Sequence, residues 1–314
     1  MVILGSLIFQ NWGDLELKIG PDCVPCILKM CLGFIRKSGL GDSDVNRLFN
    51  DVLQLPTLSG KNWDVTSATV VEQVMRKIYK VLGNDDPLKK QKAKLNRYLM
   101  DRYEIFEKMV RDAKDPLEAA VKLAILGNAI DIMISLDFQK LVTMVKEKLE
   151  QPLPEKSFEA FKDQVGKTRR LVYFGDNAGE IVLDKLLIST LKNLYDLEIV
   201  FVVRSLPTLN DVTLNEARDI KMAEIVPVLA NGIDGPFPGT QVFRCSPEVQ
   251  ALYKQADLII SKGGGNFDSI EEDKDVFGKN ISFLFLSKCY LYVKLLNTPL
   301  EGSILANYYD SNWC

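Results

Sequence analysis

The residues best suited to chemistry sit at a few turns rich in glycine, amide and carboxylate. Gly175-Asp176-Asn177-Ala178-Gly179-Glu180 sets an aspartate beside an asparagine between two glycines. Both side chains offer hard oxygen atoms, which suit Mg²⁺ or Mn²⁺ better than a soft metal; the same pair could equally cap a helix that begins there. Asn210-Asp211-Val212-Thr213 repeats the theme, with Asp211 or Thr213 as the alternative helix cap. Lys262-Gly263-Gly264-Gly265-Asn266 has the parts of an anion site: glycines whose N–H groups can turn towards a phosphate, a lysine, and a helix start whose dipole adds to both. It is not a Walker loop, because its lysine precedes the glycines. Lys288 offers a second cation, or a plain solvated charge. Gly127-Asn128-Ala129-Ile130-Asp131 places Asn128 and Asp131 three residues apart on one face of an apolar helix. Polar groups buried on such a face need partners, so this face is expected to meet a polar cleft, either as part of a site or as an inter-domain hydrogen-bond network.

Composition narrows the chemistry those residues can do. The 314-residue chain contains no histidine, which removes Ser-His-Asp and Cys-His catalysis, histidine zinc sites and a histidine general base together. Carboxylates, amides, lysines, thiols or a metal must carry any reaction. A net charge of −3 creates no field that would draw a polyanion, so nucleic acid is not an expected partner. The apolar run at residues 1–9 is too short to span a bilayer and has no basic segment before it, so no membrane or secretory role is expected. Six cysteines at irregular spacing suggest reduced thiols in a cytoplasmic protein.

Cys23-Val24-Pro25-Cys26 is a CxxC, hence a redox pair or half of a zinc site. A thioredoxin-like motif would stand next to a βαβ pattern, whereas this one opens a helical region, and no second CxxC completes a zinc set. Buried, unreactive thiols are the favoured reading, with Cys23, Cys26 and Cys289 retained as a secondary thiol cluster.

The elements that must position these residues fall into two patterns. From residue 23 to about 150 the apolar periodicity is helical, as in Val45-Leu48-Phe49-Val52 and Val70-Val74-Ile78-Tyr79-Leu82. The lysines between 89 and 94 read as a solvated helix face. Asp115-Pro116 reads as an N-cap followed by proline at the first helical position, opening a helix to about residue 136. The prolines at 152 and 154 break the pattern. After residue 168 short apolar runs alternate with helix-length segments, the mark of parallel βαβ units. Strands are expected at 171–174, 198–203, 224–229, 257–261, 281–286 and near 303–307, with crossover helices at 181–194 and 247–255. The expected organisation is an extension at 1–20, a helical domain at 21–168 and a Rossmann-like α/β catalytic domain at 169–314. Ligands of such sheets bind beyond the carboxyl ends of the strands, where the turns above would lie.

Taken in order, these motifs and Lys288-Cys289 resemble the damage-control phosphatase family, and within it the subfamily with an N-terminal CxxC. The resemblance covers about residues 20–309 and implies a helical region joined to a Rossmann-like parallel sheet. It also implies a divalent metal (Mn, Mg, Co or Ni) on Asp176, Asn177 and Asp211, with Lys262, Asn266 and Lys288 lining a phosphate pocket. Asn128 and Asp131 would face the same cleft, and Gly263, Gly264, Gly265 and Glu180 would complete it. Gly264 departs from the family, where glutamine or a bulkier residue is common, and residues 1–20 exceed the subfamily's usual start.

The expected reaction is hydrolysis of a phosphomonoester of a small metabolite, such as a sugar phosphate, a phosphorylated cofactor precursor or a damaged metabolite. Metal-activated water would attack phosphorus, Asp176, Asn177, Asp211 and Lys262 would be the catalytic set, and any side-chain base would be Asp176, Asp131 or Glu180. Two other classes remain open: an S-adenosylmethionine-dependent carboxyl methyltransferase, which the fold would suit, and a non-catalytic metal- or nucleotide-binding module. The side chains of Asp176 and Asn177, where a nucleoside loop prefers glycines, weigh against the methyltransferase. Nothing in the sequence sets an oligomeric state.

Overall fold

The computed structural model describes residues 17–83, 86–129, 138–270, 278–310 and 312–314. The chain opens with α1 (Cys23–Lys37), α2 (Asp42–Leu53), α3 (Ser67–Leu82), α4 (Lys89–Met100), α5 (Tyr103–Arg111), α6 (Pro116–Gly127), α7 (Phe138–Glu150) and α8 (Glu155–Lys167). The α/β half follows as β1 (Arg170–Phe174), α9 (Glu180–Leu194), β2 (Glu198–Val203), α10 (Leu214–Asp219), β3 (Val228–Ala230), α11 (Pro247–Gln255), β4 (Leu258–Lys262), α12 (Gly263–Ile270), β5 (Ile281–Leu286), α13 (Tyr290–Leu295), β6 (Ser303–Tyr309) and β7 (Asn312–Trp313). The protein is therefore of the α/β class, with its helices first and its strands in the C-terminal half.

Seven strands form one sheet in the order β3-β2-β1-β4-β5-β6-β7. The first five are parallel, and the order reverses between β1 and β4, the position at which doubly wound sheets open a ligand crevice. The expected strand at 303–307 exists, but it is antiparallel to β5. Between them α13 has only six residues, about 9 Å of rise, too little to return the chain along β5, so it re-enters from the carboxyl edge. The expected strand at 224–229 begins later. Met222–Glu224 is a 3₁₀ turn, and the Pro227 carbonyl, accepting from the Phe201 N–H at 2.9 Å, starts the pairing.

Strand alternation sorts the sheet into two faces. Leu171, Tyr173, Leu258 and Ile260 join a core with α4, α6, α8 and α9, while Val172, Phe174, Ile259 and Phe283 face α11, α12 and α13. A third core belongs to α1, α2 and α3, where Val45, Leu48, Val52, Val70, Val74 and Ile78 are buried as their periodicity requires. Among the lysines of α4, Lys89, Lys90 and Lys94 are exposed as expected, but Lys92 is fully buried. Among the described residues no helix is long and apolar enough to cross a membrane.

Asp115 caps α6 as the sequence indicates. Its Oδ1 accepts from the N–H groups of Leu117 and Glu118 at 3.0 and 3.1 Å, Pro116 fills the first helical position, and Oδ2 receives Lys162 at 2.8 Å. The helix ends at Gly127, short of the expected residue 136; residues 130–137 lie outside the described residues. Because α6 presses against both α9 and β5, its start matters to the whole. Replacing Asp115 with alanine is expected to cost about 1 kcal/mol, read as a lower urea midpoint with an unchanged slope.

Candidate active site

The turn after β1 and the loop after β2 are tied backbone to backbone. Asn177 and Asp211 pair as an antiparallel bridge, the Ala178 N–H donates to the Asn210 carbonyl and the Val212 N–H to the Asp176 carbonyl, both at 2.8 Å. This clasp holds Asp176, Asn177 and Asp211 together at the carboxyl edge of the sheet. All three are buried. Thr213, not Asp211, caps α10, in a reciprocal capping box with Glu216, so Asp211 is left for another purpose.

Arg204, one residue past β2, lies between the two carboxylates. Its Nε donates to Asp211 Oδ2 at 2.7 Å, and its Nη1 donates to Thr240 Oγ1 and Asn266 Oδ1 at 3.0 and 2.9 Å. Its Nη2 is buried without a hydrogen bond, 3.5 Å from Asp176 Oδ1. Burial, then the charges of Asp211 and Glu180, push the Asp176 carboxyl well above its ordinary range, while Arg204 and Lys288 pull the other way. Burial also raises Asp211 against the pull of Arg204.

Asparagine amides tie the next layer. The Nδ2 of Asn177 donates to Asp176 Oδ2 at 2.5 Å and to Glu180 Oε2 at 2.9 Å, which leaves its Oδ1 as the acceptor available to a ligand. Asn128, at the end of α6, donates from Nδ2 to the same two carboxylates at 3.2 and 3.0 Å. Its helix-face partner in sequence, Asp131, lies outside the described residues. Asn96 and Lys92 of α4 support the clasp from below: Asn96 Oδ1 accepts from the Gly179 N–H at 2.6 Å, and Lys92 donates to the Asp211 carbonyl at 3.0 Å while pairing with Asp86 at 2.7 Å.

The lysine-glycine segment differs from its sequence reading in two ways. Lys262 is the last residue of β4 and shares the face of Leu258 and Ile260, so alternation sends its side chain into the sheet's interior and away from the cleft. There its Nζ donates to the Ala124 carbonyl at 2.7 Å, to Asp184 Oδ1 at 2.9 Å and to Glu180 Oε1, using all three protons. Against the cost of burial, Asp184 and Glu180 raise its pKa and keep it charged; burial lifts Asp184 to about 6 although Lys262 opposes it. The glycines, secondly, are shaped mainly by the protein's own packing. A Cβ on Gly264 would lie 2.4 Å from the Tyr292 hydroxyl, and one on Gly265 would lie 1.9 Å from the Pro238 carbonyl. The departure at Gly264 is thus matched by Tyr292. Gly263, with φ of +79°, turns strand directly into helix and sits against Asp176, where a Cβ would fall 1.9 Å from Oδ2.

Asn266 is likewise turned inward, its Nδ2 donating to the carbonyls of Gly175 at 3.1 Å and Lys262 at 2.7 Å. Lys288 is exposed, and its charge acts on Asp176. Of the twelve residues expected in the site, the structure gathers Asp176, Asn177, Asp211, Glu180, Asn128 and Gly263 at the carboxyl edge of the sheet, leaves Lys288 exposed within electrostatic reach of Asp176, and turns Lys262, Asn266, Gly264 and Gly265 to contacts within the protein. Arg204, Asp184 and Lys92 are the residues that sequence reasoning passes over. Asp184 had a readable signal, since it stands one helical turn after Glu180. The thiols lie elsewhere: Cys23 and Cys289 are half-buried near Asp268, and Cys26 is exposed. Burial, reinforced by the charge of Asp268, raises the pKa of both half-buried thiols.

Residues 19–304 match the profile of the damage-control phosphatase ARMT1-like domain. The chain belongs to this family. It is 30% identical over 306 residues to an uncharacterized protein of Methanocaldococcus jannaschii, covering 95% of this chain and 98% of that one. It is 26% identical over 289 residues to a protein of Pyrococcus horikoshii named a damage-control phosphatase, covering 92% of this chain and 97% of the other. The crystal structure of a DUF89 family protein from Pyrococcus horikoshii has the same fold, with a TM-score of 0.77 at 26% identity over 92% of this chain and 99% of that one.

Fit to a divalent cation is a question of charge and donor type. Among the described residues no three His, Cys, Asp or Glu side chains converge as a metal cage, so the candidate set is two carboxylates and the Asn177 amide. Around it six carboxylates (Asp86, Asp176, Glu180, Asp184, Asp211 and Glu216) meet three buried cations (Lys92, Arg204 and Lys262). The surplus is negative and the free donors are hard oxygens, which is what a divalent cation such as Mg²⁺ or Mn²⁺ would neutralise and bind.

The position of Lys262 leads to a stability test. Lys262→Met leaves Glu180 and Asp184 buried without their cation, and is expected to destabilise the fold by about 3–5 kcal/mol in chemical denaturation. A near-neutral change would instead place the ammonium in the cleft.

Proposed function

We propose that this protein is a metal-dependent phosphatase that hydrolyses phosphomonoesters of small metabolites: sugar phosphates, phosphorylated cofactor precursors or damaged metabolites. Family membership and the names of the relatives support a phosphatase. The observation that carries the metal-dependent reading is the pair of buried carboxylates, Asp176 and Asp211, with a surplus of negative charge around them and a buried arginine nitrogen left unbonded between them.

Asp176, Asn177 and Asp211 would hold the cation, drawn from Mg²⁺, Mn²⁺, Co²⁺ or Ni²⁺. When bound, such an ion polarises a phosphoryl oxygen and lowers the pKa of a coordinated water. The remaining work falls to the chain itself. Arg204 holds Asp211 through Nε and has Nη2 left to donate to a phosphoryl oxygen, so it would both position a ligand and offset negative charge that builds on the phosphoryl oxygens. Lys288, at the solvent side, adds a second positive charge. Lys262 acts through Glu180: by holding that carboxylate, it fixes the amides of Asn177 and Asn128 that in turn orient Asp176. With Glu180 so engaged, a side-chain base would be Asp176 or Asp131.

Hydrolysis of a chromogenic aryl phosphate, with each of the four cations and with excess chelator, tests this. Activity should require a divalent cation and fall at least a hundredfold in Asp176→Ala. Full activity in chelator or in that variant would reject the mechanism.

A further inference from the structure

The buried stripe of α4 is Lys92, Leu95, Asn96 and Leu99, at the three- and four-residue spacing that a helix normally fills with apolar side chains. Leu95 and Leu99 obey that rule and seat α4 in the core it shares with α9 and one face of the sheet. Lys92 and Asn96 break it, and a polar side chain buried on such a stripe is costly unless its hydrogen bonds are made. Both make them with the two loops that carry the candidate cation ligands. Lys92 donates to the Asp211 carbonyl at 3.0 Å. Asn96, one helical turn further on, accepts from the Gly179 N–H at 2.6 Å and donates from Nδ2 to the Glu216 carbonyl at 3.3 Å. One face of a single helix thus holds the turn after β1 and the loop after β2 together.

The bond from Gly179 does a task that its own helix cannot do. Gly179 is the N-cap of α9, with φ of +81°, and has no side chain with which to cap. In a capping box the N–H of the N-cap residue donates to a glutamate or glutamine at the third helical position. α10 follows that pattern, since Glu216 accepts from the Thr213 N–H at 2.8 Å. In α9 the third position is Val182, whose side chain accepts nothing. Asn96 supplies the acceptor instead, from 83 positions earlier in the chain. Gly179 follows closely on Asp176 and Asn177, and the Ala178 N–H beside it holds the Asn210 carbonyl at 2.8 Å. Fixing the Gly179 peptide therefore fixes the end of the clasp that has no cap of its own.

We infer that Asn96 is a positioning residue for the divalent cation: through Gly179 it holds Asp176 and Asn177 against the Asp211 loop, so that the three ligands are in place before a cation arrives. The inference rests on the metal reading of Asp176, Asn177 and Asp211, and adds that the affinity of this set is governed from the helical half of the chain. Asn96 itself touches neither cation nor substrate. Lys92 fixes the Asp211 side, but its removal would change charge and geometry together. Asn96 carries no charge, so its removal reports geometry alone.

Titration of the full chain with Mn²⁺ by calorimetry, with no phosphate ester present, is the direct test. Asn96→Leu and the smaller Asn96→Ala both remove the acceptor, so the result does not depend on one variant folding; each should bind Mn²⁺ about tenfold more weakly than the wild type. Asn96→Asp keeps an oxygen for the Gly179 N–H and should bind at least as tightly as the wild type, even though burying its carboxylate lowers the urea midpoint. Hydrogen exchange at the Gly179 amide should be as slow in Asn96→Asp as in the wild type and at least tenfold faster in Asn96→Leu. A merely structural role predicts the opposite order, with affinity following stability and the aspartate variant among the weakest. Wild-type affinity in both Asn96→Leu and Asn96→Ala overturns the assignment. So does an aspartate variant that binds Mn²⁺ tightly while its Gly179 amide exchanges as fast as in Asn96→Leu, because charge alone would then explain its affinity. If the wild type binds no Mn²⁺, the metal reading fails and the assignment falls with it. If Mn²⁺ binding responds as described yet no phosphate ester is hydrolysed, the phosphatase reading fails and the role of Asn96 stands.

Discussion

Like charges buried close together repel strongly, because the interior screens them far less than water does. Asp176, Glu180, Asp184 and Asp211 are all buried around the carboxyl ends of β1 and β2. The rest of the structure is arranged around that fact. Lys262 lies between Glu180 and Asp184, Arg204 between Asp176 and Asp211, and Lys92 beneath the Asp211 loop, each with its hydrogen bonds directed at oxygen atoms of the protein. Asn128 and Asn177 carry no charge but donate amide N–H groups to the carboxylates of Asp176 and Glu180, while the Asn96 amide oxygen accepts from the Gly179 N–H. These partners do not cancel the whole negative charge: Lys92, Arg204 and Lys262 each face two carboxylates.

The supporting residues come from both halves of the chain, and the helices from α4 to α9 share one core with a face of the sheet. Lys92 and Asn96 come from α4, Asn128 from the end of α6, Glu180 and Asp184 from α9, and Lys262 and Arg204 from β4 and the end of β2. Moving α6 relative to α9 would separate Asn128 from Glu180 and break a buried hydrogen bond of that network. The apolar packing of α6 on α9 and β5 is therefore also what sets the position of the Asp176 carboxylate. Glycine plays a matching part at one place: Gly263 turns β4 straight into α12 in a left-handed conformation, against a carboxylate that any side chain would displace.

Much was legible from local pattern. The helical repeats of α2 and α3, the Asp115-Pro116 helix start, the parallel strands through β5 and the strand-end location of Asp176 and Asp211 all follow from period, caps and turn residues acting over a few positions. Where local pattern misled, a non-local partner intervened. The lysine of the lysine-glycine segment reads as a phosphate ligand, yet its parity on β4 turns it towards Glu180 and Asp184, residues roughly eighty positions earlier in the chain. Lys92 reads as one of a solvated cluster, yet Asp86 and the Asp211 carbonyl draw it inside.

The sequence by itself determined the chemistry that is possible here: without histidine, it must rest on carboxylates, amides, lysines, thiols or a metal, and the turns rich in carboxylate and amide must stand at the ends of parallel strands. Tertiary structure alone decided which of those residues stand together at the sheet edge and which hold the others in place. The reason is that charge compensation is a property of distance in three dimensions. A buried cation has the same sequence signature whether it points at solvent or at a carboxylate, and only the packing of α4, α6 and α9 against the sheet distinguishes the two.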